Sequence, residues 1–325
     1  MYSAVAVWRR RWYAHAPSRR SRLSRPVISV GNLSIGGSGK TPIVGYIARL
    51  LVEAGERPAI LTRGYGRRRT SDRITIVSDG ASIRAGVDSS GDEPLMLARA
   101  LPGVAVVVSG SRYDAGRLAE RELGATVHVL DDGFQHVQIE RDVDLLLLSE
   151  EDLSDRPLPA GRLREPLAAA AVADAALVLA GYTTAVDRVA RMAGIRTAFQ
   201  VTRTLGAPRT IAIPSDSVVV PSQSRVFAMA AIARPERFFS DVSAAGWDLV
   251  DSMSFRDHHR FTRSDVTRIT KAARAAAAAI VLTTEKDAVR LEGCDLGGLP
   301  VAAVPLVVGI EPADGFRDWL LGRIR

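Results

Sequence analysis

The sequence is short of cysteine, of lysine and of long apolar runs, and each shortage narrows the classes of protein it can encode. Its single cysteine, Cys294, cannot form an internal disulfide or a cysteine-based metal site, so we predict a protein of a reducing compartment. No uninterrupted apolar stretch reaches the roughly 18 residues that a membrane-spanning helix needs. Hydrophobic residues make up 47% of the 325 positions, which excludes disorder as a general description. At about 150 residues per domain, this length predicts two domains.

Positive charge is concentrated at the start of the chain. The formal net charge is +7, and residues 1–25 contain seven arginines and no acidic residue, so the remainder is neutral. A body without a broad basic face is not typical of nucleic-acid-binding proteins, and we predict no nucleic-acid partner. Tyr2, Val5, Trp8 and Trp12 recur at near-helical spacing among these arginines. The segment therefore predicts a helix that contacts an anionic membrane surface, packs on the protein's own core, or does both in part.

A glycine-rich loop lies between a predicted strand at 26–30 and a predicted helix at 41–54. Glycines let successive backbone N–H groups turn toward a phosphate, and the start of the following helix adds a positive end. Lys40 would then reach the β- and γ-phosphates of a nucleotide, and the Thr41 hydroxyl would bind Mg²⁺. The strict P-loop pattern has glycine where this chain has Ser34, yet one of only three lysines stands at the required position. The loop reads Gly36, Gly37, Ser38, Gly39, Lys40, Thr41.

An apolar strand predicted at 126–130 ends directly in Asp131 and Asp132. A carboxylate at the end of a strand, downstream of a P-loop, is typical of the Walker B arrangement that completes the Mg²⁺ shell. Ligands bind at the carboxyl ends of parallel strands, so we expect these aspartates and the glycine-rich loop to meet. Arg112 and Arg164 follow a strand or a turn on the side where phosphates are expected, and the guanidinium fork suits phosphate oxygens.

Two further pairs of residues stay open on pattern alone. Asp92 and Glu93 either cap a helix predicted at 93–101 or supply a base for a substrate hydroxyl. His258 and His259 are adjacent, so at most one of them would face a given site in an extended segment. On pattern alone, structural or surface roles explain both pairs at least as well as functional roles do.

Apolar strands alternate with helices along most of the chain. This pattern indicates an α/β fold with a mostly parallel sheet covered by helices on both faces, of the P-loop NTPase type. A stretch at 205–225 rich in proline, serine and threonine looks like a connection to a second, smaller β/α series. Beyond those already given, strands are predicted at 59–62, 74–77, 104–108, 143–148, 175–179, 226–230, 279–283 and 301–308, and helices at 112–123, 265–279 and from 313.

Eight stretches, in this order, resemble the tetraacyldisaccharide 4'-kinase family, which phosphorylates the disaccharide precursor of lipid A. The family's loop also lacks glycine at the position of Ser34. Beyond the N-terminal arm at 1–25, the resemblance implies a P-loop kinase domain at 26–208 and a smaller α/β domain at 209–325 that includes the linker. The stretches are Pro26–Pro42, Arg63–Gly66, Gly91–Pro94, Asp131–His136, Gly161–Pro166, Ala233–Phe239, Asp257–His259 and Leu282–Ala288.

Carried over by position, the resemblance also implies roles for individual residues. Asp92 would be the catalytic base, assisted by His258 from the second domain. The metal region would comprise Thr41, Asp131, Asp132 and Glu165. Glu93 would support the site, and the nucleotide would be held by the glycine-rich loop from Gly36 to Thr41 together with Gln135, Arg112 and Arg164.

The implied reaction is direct transfer of the γ-phosphoryl group of ATP, with Mg²⁺, to a hydroxyl of an acylated disaccharide lipid. The implied location is peripheral, on the cytoplasmic face of the inner membrane, and no obligate protein partner is evident. If Asp92 and His258 come from different domains, domain closure would gate the transfer. Two alternatives remain: a nucleotide-dependent switch, which usually has lysine where Ile35 stands, and a P-loop kinase that acts on a soluble metabolite.

Overall fold

The computed structural model describes residues 2–37, 39–67, 74–179, 185–211, 219–292, 294 and 300–325. The chain divides into two compact units, a larger one formed by residues 1–202 with 308–325 and a smaller one formed by 203–307. In the described residues, no helix combines the length and the apolar character needed to cross a membrane.

The larger unit is built on a nine-stranded sheet. Its strand order is β14-β8-β7-β6-β1-β5-β2-β4-β3, and the neighbouring strands from β8 to β4 run parallel, whereas β3 is antiparallel to β4. Its elements are α1 (Tyr2–Ala14), β1 (Val27–Asn32), α2 (Lys40–Glu53), β2 (Pro58–Thr62), β3 (Thr75–Asp79), α3 (Val87–Ser90), α4 (Asp92–Ala100), β4 (Ala105–Val108), α5 (Arg112–Glu122), β5 (Val127–Asp131), β6 (Val143–Leu148), α6 (Glu150–Ser154), β7 (Ala175–Leu179), α7 (Val186–Met192), β8 (Ala198–Leu205), β14 (Leu306–Glu311) and α11 (Ala313–Ile324).

The central strands are buried on both faces, which explains their continuous apolar sequences. Leu61 and Leu130 belong to a core cluster that also contains Ala115 and Ala119 of α5. Ile60 alternates with Leu61 along β2 and is equally inaccessible to solvent, so the opposite face is covered as well. The predicted α/β fold with a mostly parallel sheet is confirmed.

The smaller unit has its own five-stranded sheet and its own core. The strand order is β11-β10-β12-β13-β9, parallel except for the antiparallel pair of β13 and β9. Its elements are β9 (Arg209–Thr210), β10 (Arg225–Ala230), α8 (Pro235–Ala244), β11 (Asp248–Ser254), α9 (Arg263–Ala275), β12 (Ile280–Thr284), α10 (Glu285–Leu291) and β13 (Val301–Val304).

The end of the chain differs from the sequence-based division. A single strand was expected at 301–308, but Pro305 separates β13 from β14 because it has no N–H to donate to a ladder. Residues 308–325 then belong to the larger unit instead of the smaller one. The reason is apolar burial: Phe316 of α11 is inaccessible to solvent and packs on Phe199 of β8, with ring centroids 5.0 Å apart.

Candidate active site

The loop after β1 has the conformation that its glycines permit. Gly36 and Gly39 have φ angles of 99° and 85°, in the left-handed region that favours glycine. Gly39 is the residue before α2, which begins at Lys40. The loop is braced from the side, because Ile35 N donates to Arg162 O at 2.8 Å. The backbone N–H groups at the start of α2 therefore adjoin this braced loop, as an anion-binding site requires. Ser38 lies outside the described residues.

Lys40 is positioned by groups from two adjacent strand ends. Its Nζ donates to Asn32 Oδ1 at 2.6 Å and lies 3.1 Å from Asp132 Oδ1. The register of β1 and β5, in which Val30 is opposite Asp131, brings these groups together. The structure thus unites the predicted lysine with the predicted pair of aspartates at the carboxyl end of the sheet. Thr41 follows as the second residue of α2 and is half-buried.

Asp131 is a buried carboxyl group at the end of β5. It is 5% exposed, and the Thr62 hydroxyl donates to its Oδ2 at 3.2 Å. The pKa of Asp131 is raised to about 7: burial is the largest cause, the charges of Glu93 and Asp132 add to it, and Lys40 and the Thr62 hydrogen bond act in the opposite direction. A nearby cation would stabilise the ionised form of this buried carboxyl group.

Asp132 is held in an uncommon backbone conformation by charged partners. Its φ is 55°, which costs on the order of 1 kcal/mol in a residue other than glycine. Arg164 Nη1 donates to both of its carboxylate oxygens at 2.9 and 2.8 Å, and also to Gln135 Oε1 at 3.1 Å. Burial raises the pKa of Asp132, but Lys40 and Arg164 outweigh that effect, so the pKa lies below its usual value.

Arg112 and the acidic start of α4 share this electrostatic environment. Arg112 is buried, its pKa is lowered by that burial, and Asp131 and Asp132 counteract the lowering. Glu93 acts on the pKa of Asp131, as described above. Asp92 is the first residue of α4 and is 3% exposed.

Glu165 has a different partner from the one expected of a metal ligand. Both of its carboxylate oxygens accept from Arg10 of α1, at 2.7 and 2.9 Å, and the side chain is 2% exposed. The guanidinium of Arg10 also stacks 4.2 Å from the centroid of the Phe134 ring. Both oxygens of Glu165 thus accept from a guanidinium, as those of Asp132 do, and the metal role of Glu165 stays a prediction.

In the smaller unit, the two adjacent histidines have different surroundings. His259 stacks on Phe255 with ring centroids 4.9 Å apart, and its Nε2 lies 3.0 Å from Asp265 Oδ2. His258 instead has a φ of 60°, and its Nδ1 lies 2.9 Å from Arg290 Nη2. Its Nε2 lies 3.3 Å from Lys286 Nζ, so both ring nitrogens of His258 face a cationic hydrogen-bond donor. These contacts favour His258 over His259 for a chemical role.

Pattern reasoning missed two polar groups of the site. The side chain of Asn32 orients Lys40, and the backbone oxygen of Asn32 accepts from Gln135 Nε2 at 3.0 Å. Thr62 donates to Asp131. Both are polar residues at the carboxyl ends of otherwise apolar parallel strands, β1 and β2, and this position was the signal that could have found them.

Comparison with known proteins identifies the family. A family model described as tetraacyldisaccharide-1-P 4'-kinase matches residues 1–325. The chain belongs to the tetraacyldisaccharide 4'-kinase family. Curated relatives of that name include one from Koribacter versatilis (strain Ellin345), 36% identical over 99% of this chain and 96% of the relative. Another, from Geobacter sulfurreducens, is 38% identical over 97% of this chain and 88% of the relative.

A solved member of the tetraacyldisaccharide 4'-kinase family has the same fold. The crystal structure of LpxK from Aquifex aeolicus in complex with ATP is 32% identical, with a TM-score of 0.79, and the match covers 100% of this chain and 96% of that one.

The residues present fit the ATP and Mg²⁺ that this kinase family uses. Among the described residues, no three acidic, histidine or cysteine side chains converge as a metal cage. P-loop kinases do not need one, because Mg²⁺ takes one or two protein oxygens and completes its shell with nucleotide phosphates and water. The buried carboxyl of Asp131 and the adjacent Asp132 supply oxygens of this kind.

Proposed function

We propose that the site at the ends of β1 and β5 transfers the γ-phosphoryl group of ATP to the 4'-hydroxyl of tetraacyldisaccharide 1-phosphate, the precursor of lipid A. The observation that carries this proposal is the approach of Lys40 Nζ to Asp132 Oδ1, at 3.1 Å, beside a left-handed glycine loop at the start of α2. Family membership gives the substrate class, and the site supplies a cation, carboxylates and helix N–H groups where phosphoryl transfer needs them.

We assign the nucleotide phosphates to the loop from Gly36 to Gly39, to Lys40 and to Arg164 and Arg112. Thr41, Asp131 and Asp132 would hold Mg²⁺, which neutralises phosphate charge when bound. Lys40 and Arg164 already contact Asp132, so phosphate oxygens can take over donors that are in place. Gln135 orients Arg164 through a hydrogen bond to its guanidinium. These cations stabilise the charge on the transferred group.

Asp92 is the proposed base. As the bond between the sugar oxygen and the γ-phosphorus forms and the bridging bond to the β-phosphate breaks, a carboxylate at Asp92 would accept the hydroxyl proton and ADP would leave. Its position as the buried first residue of α4, with Glu93 acting on Asp131, supports this role. We also propose that His258 assists, because contacts of Arg290 and Lys286 with its two ring nitrogens hold the imidazole in a fixed orientation.

The N-terminal helix is proposed to contact the membrane that holds this lipid. Val5 and Trp8 of α1 are 61% and 65% exposed, while Arg10 of the same helix is tied to Glu165. One side of α1 is thus anchored and the other presents apolar surface, which suits peripheral contact with an anionic bilayer on the cytoplasmic face of the inner membrane. Flotation with anionic vesicles tests this proposal. Trp8→Ser should reduce vesicle binding, whereas the exposed control Val219→Ser should not. Equal binding of the unaltered chain and both variants would refute the proposal.

The function is tested with labelled ATP, Mg²⁺ and tetraacyldisaccharide 1-phosphate in detergent. A product with a second phosphate is expected, and ATP hydrolysis that ignores the lipid would contradict the proposal. Asp92→Asn should lower turnover by about 10²- to 10⁴-fold, whereas Asp88→Asn, an exposed aspartate nearby, should have little effect.

A double-mutant cycle tests the role of His258. His258→Asn should lower turnover while its neighbour control His259→Asn leaves the chemical step unchanged. Losses in Asp92→Asn and His258→Asn that add independently in the double variant would argue against a cooperating pair.

A further inference from the structure

A second basic site lies at the opposite end of β1 from Lys40. An open-sided cavity of about 210 Å³ has four arginines in its lining, and we call it the arginine pocket. Val27, the first residue of β1, also lines it, whereas Asn32, the last residue, holds Lys40. At about 3.3 Å per residue, the two ends of the strand are roughly 16 Å apart. The lining residues are Arg20, Arg22, Leu23, Arg25, Val27, Glu140, Arg141 and Asp142.

The backbone that presents three of these arginines is fixed. Ser21 N donates to Gln138 O at 2.8 Å, and Ser21 O accepts from Glu140 N at 2.9 Å. Leu23 is 6% exposed in the core cluster beside α5, so close to Gly116 that a Cβ there would lie 2.3 Å from Leu23 Cδ1. The segment that carries Arg20, Arg22 and Arg25 is therefore preorganised, which reduces the entropy lost on binding a ligand.

The carboxylates of the lining are already engaged. Asp142 Oδ2 accepts from the backbone N of Val27 at 2.8 Å, and Glu140 pairs with Arg22 at 3.2 Å. Four arginines and two carboxylates leave the lining with a net charge of +2. A phosphate monoester carries about −1.5 to −2 at neutral pH, a charge opposite in sign to this excess.

Arg20 and Arg141 differ in their partners. Arg20 Nε is buried and has no acceptor among the described residues. Arg141 is 7% exposed and pairs with Asp144 at 3.0 Å, outside the lining. Burial lowers the pKa of Arg141, and repulsion from Arg20 adds to the lowering. A bound anion would give the buried donor of Arg20 an acceptor and relieve this repulsion.

We propose that the arginine pocket binds a phosphate group, through Arg20 and Arg25 with Arg141 behind them, as an anion site separate from the P-loop. Planar guanidinium groups on a fixed backbone suit the tetrahedral oxygens of phosphate better than a single carboxylate. The phosphate can belong to a free anion or to a lipid head group, and the two sources share this chemistry.

The first arm of the test measures binding of inorganic phosphate by calorimetry to the full chain saturated with Mg²⁺ and a non-hydrolysable ATP analogue. Arg20→Gln and Arg25→Gln should each weaken binding about tenfold, the usual effect of one lost charge-assisted hydrogen bond. Arg317→Gln, an exposed arginine of α11, is the matched control and should bind like the unaltered chain. Arg25→Gln keeps the backbone hydrogen bond from Arg25 N to Glu120, so it tests the pocket even if Arg20→Gln folds poorly.

The second arm separates the two sources of phosphate. Vesicles that contain phosphatidic acid are compared with vesicles of equal negative charge made with a carboxylate lipid. If the pocket takes a lipid phosphate, the pocket variants lose the extra binding to phosphatidic acid; if it takes a free anion, only the calorimetric signal falls. Phosphate that binds the variants and the control equally in both arms, or does not bind, overturns the proposal. The phosphate titration is repeated in Lys40→Met, which removes the lysine of the P-loop. Phosphate binding that persists in this variant supports the arginine pocket whether or not the kinase assignment holds.

Discussion

The two ends of β1 carry cations in opposite states. At the carboxyl end, Lys40 and Arg164 both contact Asp132. At the amino end, the lining of the arginine pocket has two more cations than anions, and Arg20 Nε has no acceptor in the described part of the chain. At one end the cations are paired directly with a carboxylate, whereas at the other a buried arginine nitrogen has no acceptor in the described part of the chain.

This difference predicts whether a phosphate ligand at each end of β1 needs a metal ion. A triphosphate that enters the site at the carboxyl end must separate Lys40 and Arg164 from Asp132, and the released carboxylate then needs a cation of its own. ATP binding there should depend on Mg²⁺ for that reason. A phosphate at the arginine pocket meets a lining of net positive charge and needs no metal partner.

The largest expected effect is the loss of Lys40. Lys40→Met removes the cation shared by Asn32 and Asp132, and we expect turnover with labelled ATP and the lipid substrate to fall about 10³-fold. Lys271→Met, an exposed lysine of α9, is the control and should keep full activity. Near-normal turnover in Lys40→Met would contradict the assignment of the ATP site to the carboxyl end of β1.

The ion pair of Arg10 and Glu165 should dominate the stability of the N-terminal helix. Glu165→Gln leaves a buried guanidinium without its counter-charge, so the free energy of unfolding in urea should fall by about 3 kcal/mol. Glu140→Gln is the control at the arginine pocket: its partner Arg22 is 76% exposed, and the loss should stay below about 1 kcal/mol. A changed Mg²⁺ requirement in Glu165→Gln with unchanged stability would instead favour metal ligation.

Removal of Mg²⁺ should separate the two ends directly. With EDTA present, ATP affinity is expected to fall about tenfold or more, because Asp131 and Asp132 then oppose the triphosphate. Phosphate binding to the arginine pocket should not change. If calorimetry shows that EDTA weakens ATP binding and phosphate binding equally, the proposed difference between the two ends of β1 is wrong.

The last expected effect is pH-dependent and concerns His136, whose pKa is lowered in part by arginines near both ends of β1. Burial lowers the pKa of His136 to about 4, and Arg112 and Arg141 contribute to the lowering. The folded protein therefore binds fewer protons than the unfolded chain between pH 6.5 and 4, and stability decreases as the pH falls through that window. His136→Gln should reduce this loss by about 1 kcal/mol per pH unit, relative to the exposed control His15→Gln. Parallel stability profiles for the two variants would exclude the effect.

Sequence patterns predicted the elements around Lys40 well and the sheet edges poorly. The apolar strand expected at 143–148 is β6, because a strand buried on both faces must be continuously apolar. β8 and β11 were missed, since their burial is partial and polar residues interrupt them. The same limit applies to the site: Asn32 and Thr62 gain their roles only from neighbouring strands.

By itself, the sequence determined the strand–loop–helix order, the chemical groups at Lys40, Asp131 and Asp132, and the family, because each depends on residues adjacent in the chain. Tertiary structure alone decided that Arg10 neutralises Glu165, 155 positions away, and that Arg141 joins Arg20 and Arg25 in one pocket. Such pairings depend on which buried groups strand register and core packing bring within hydrogen-bond distance, and no local pattern encodes them.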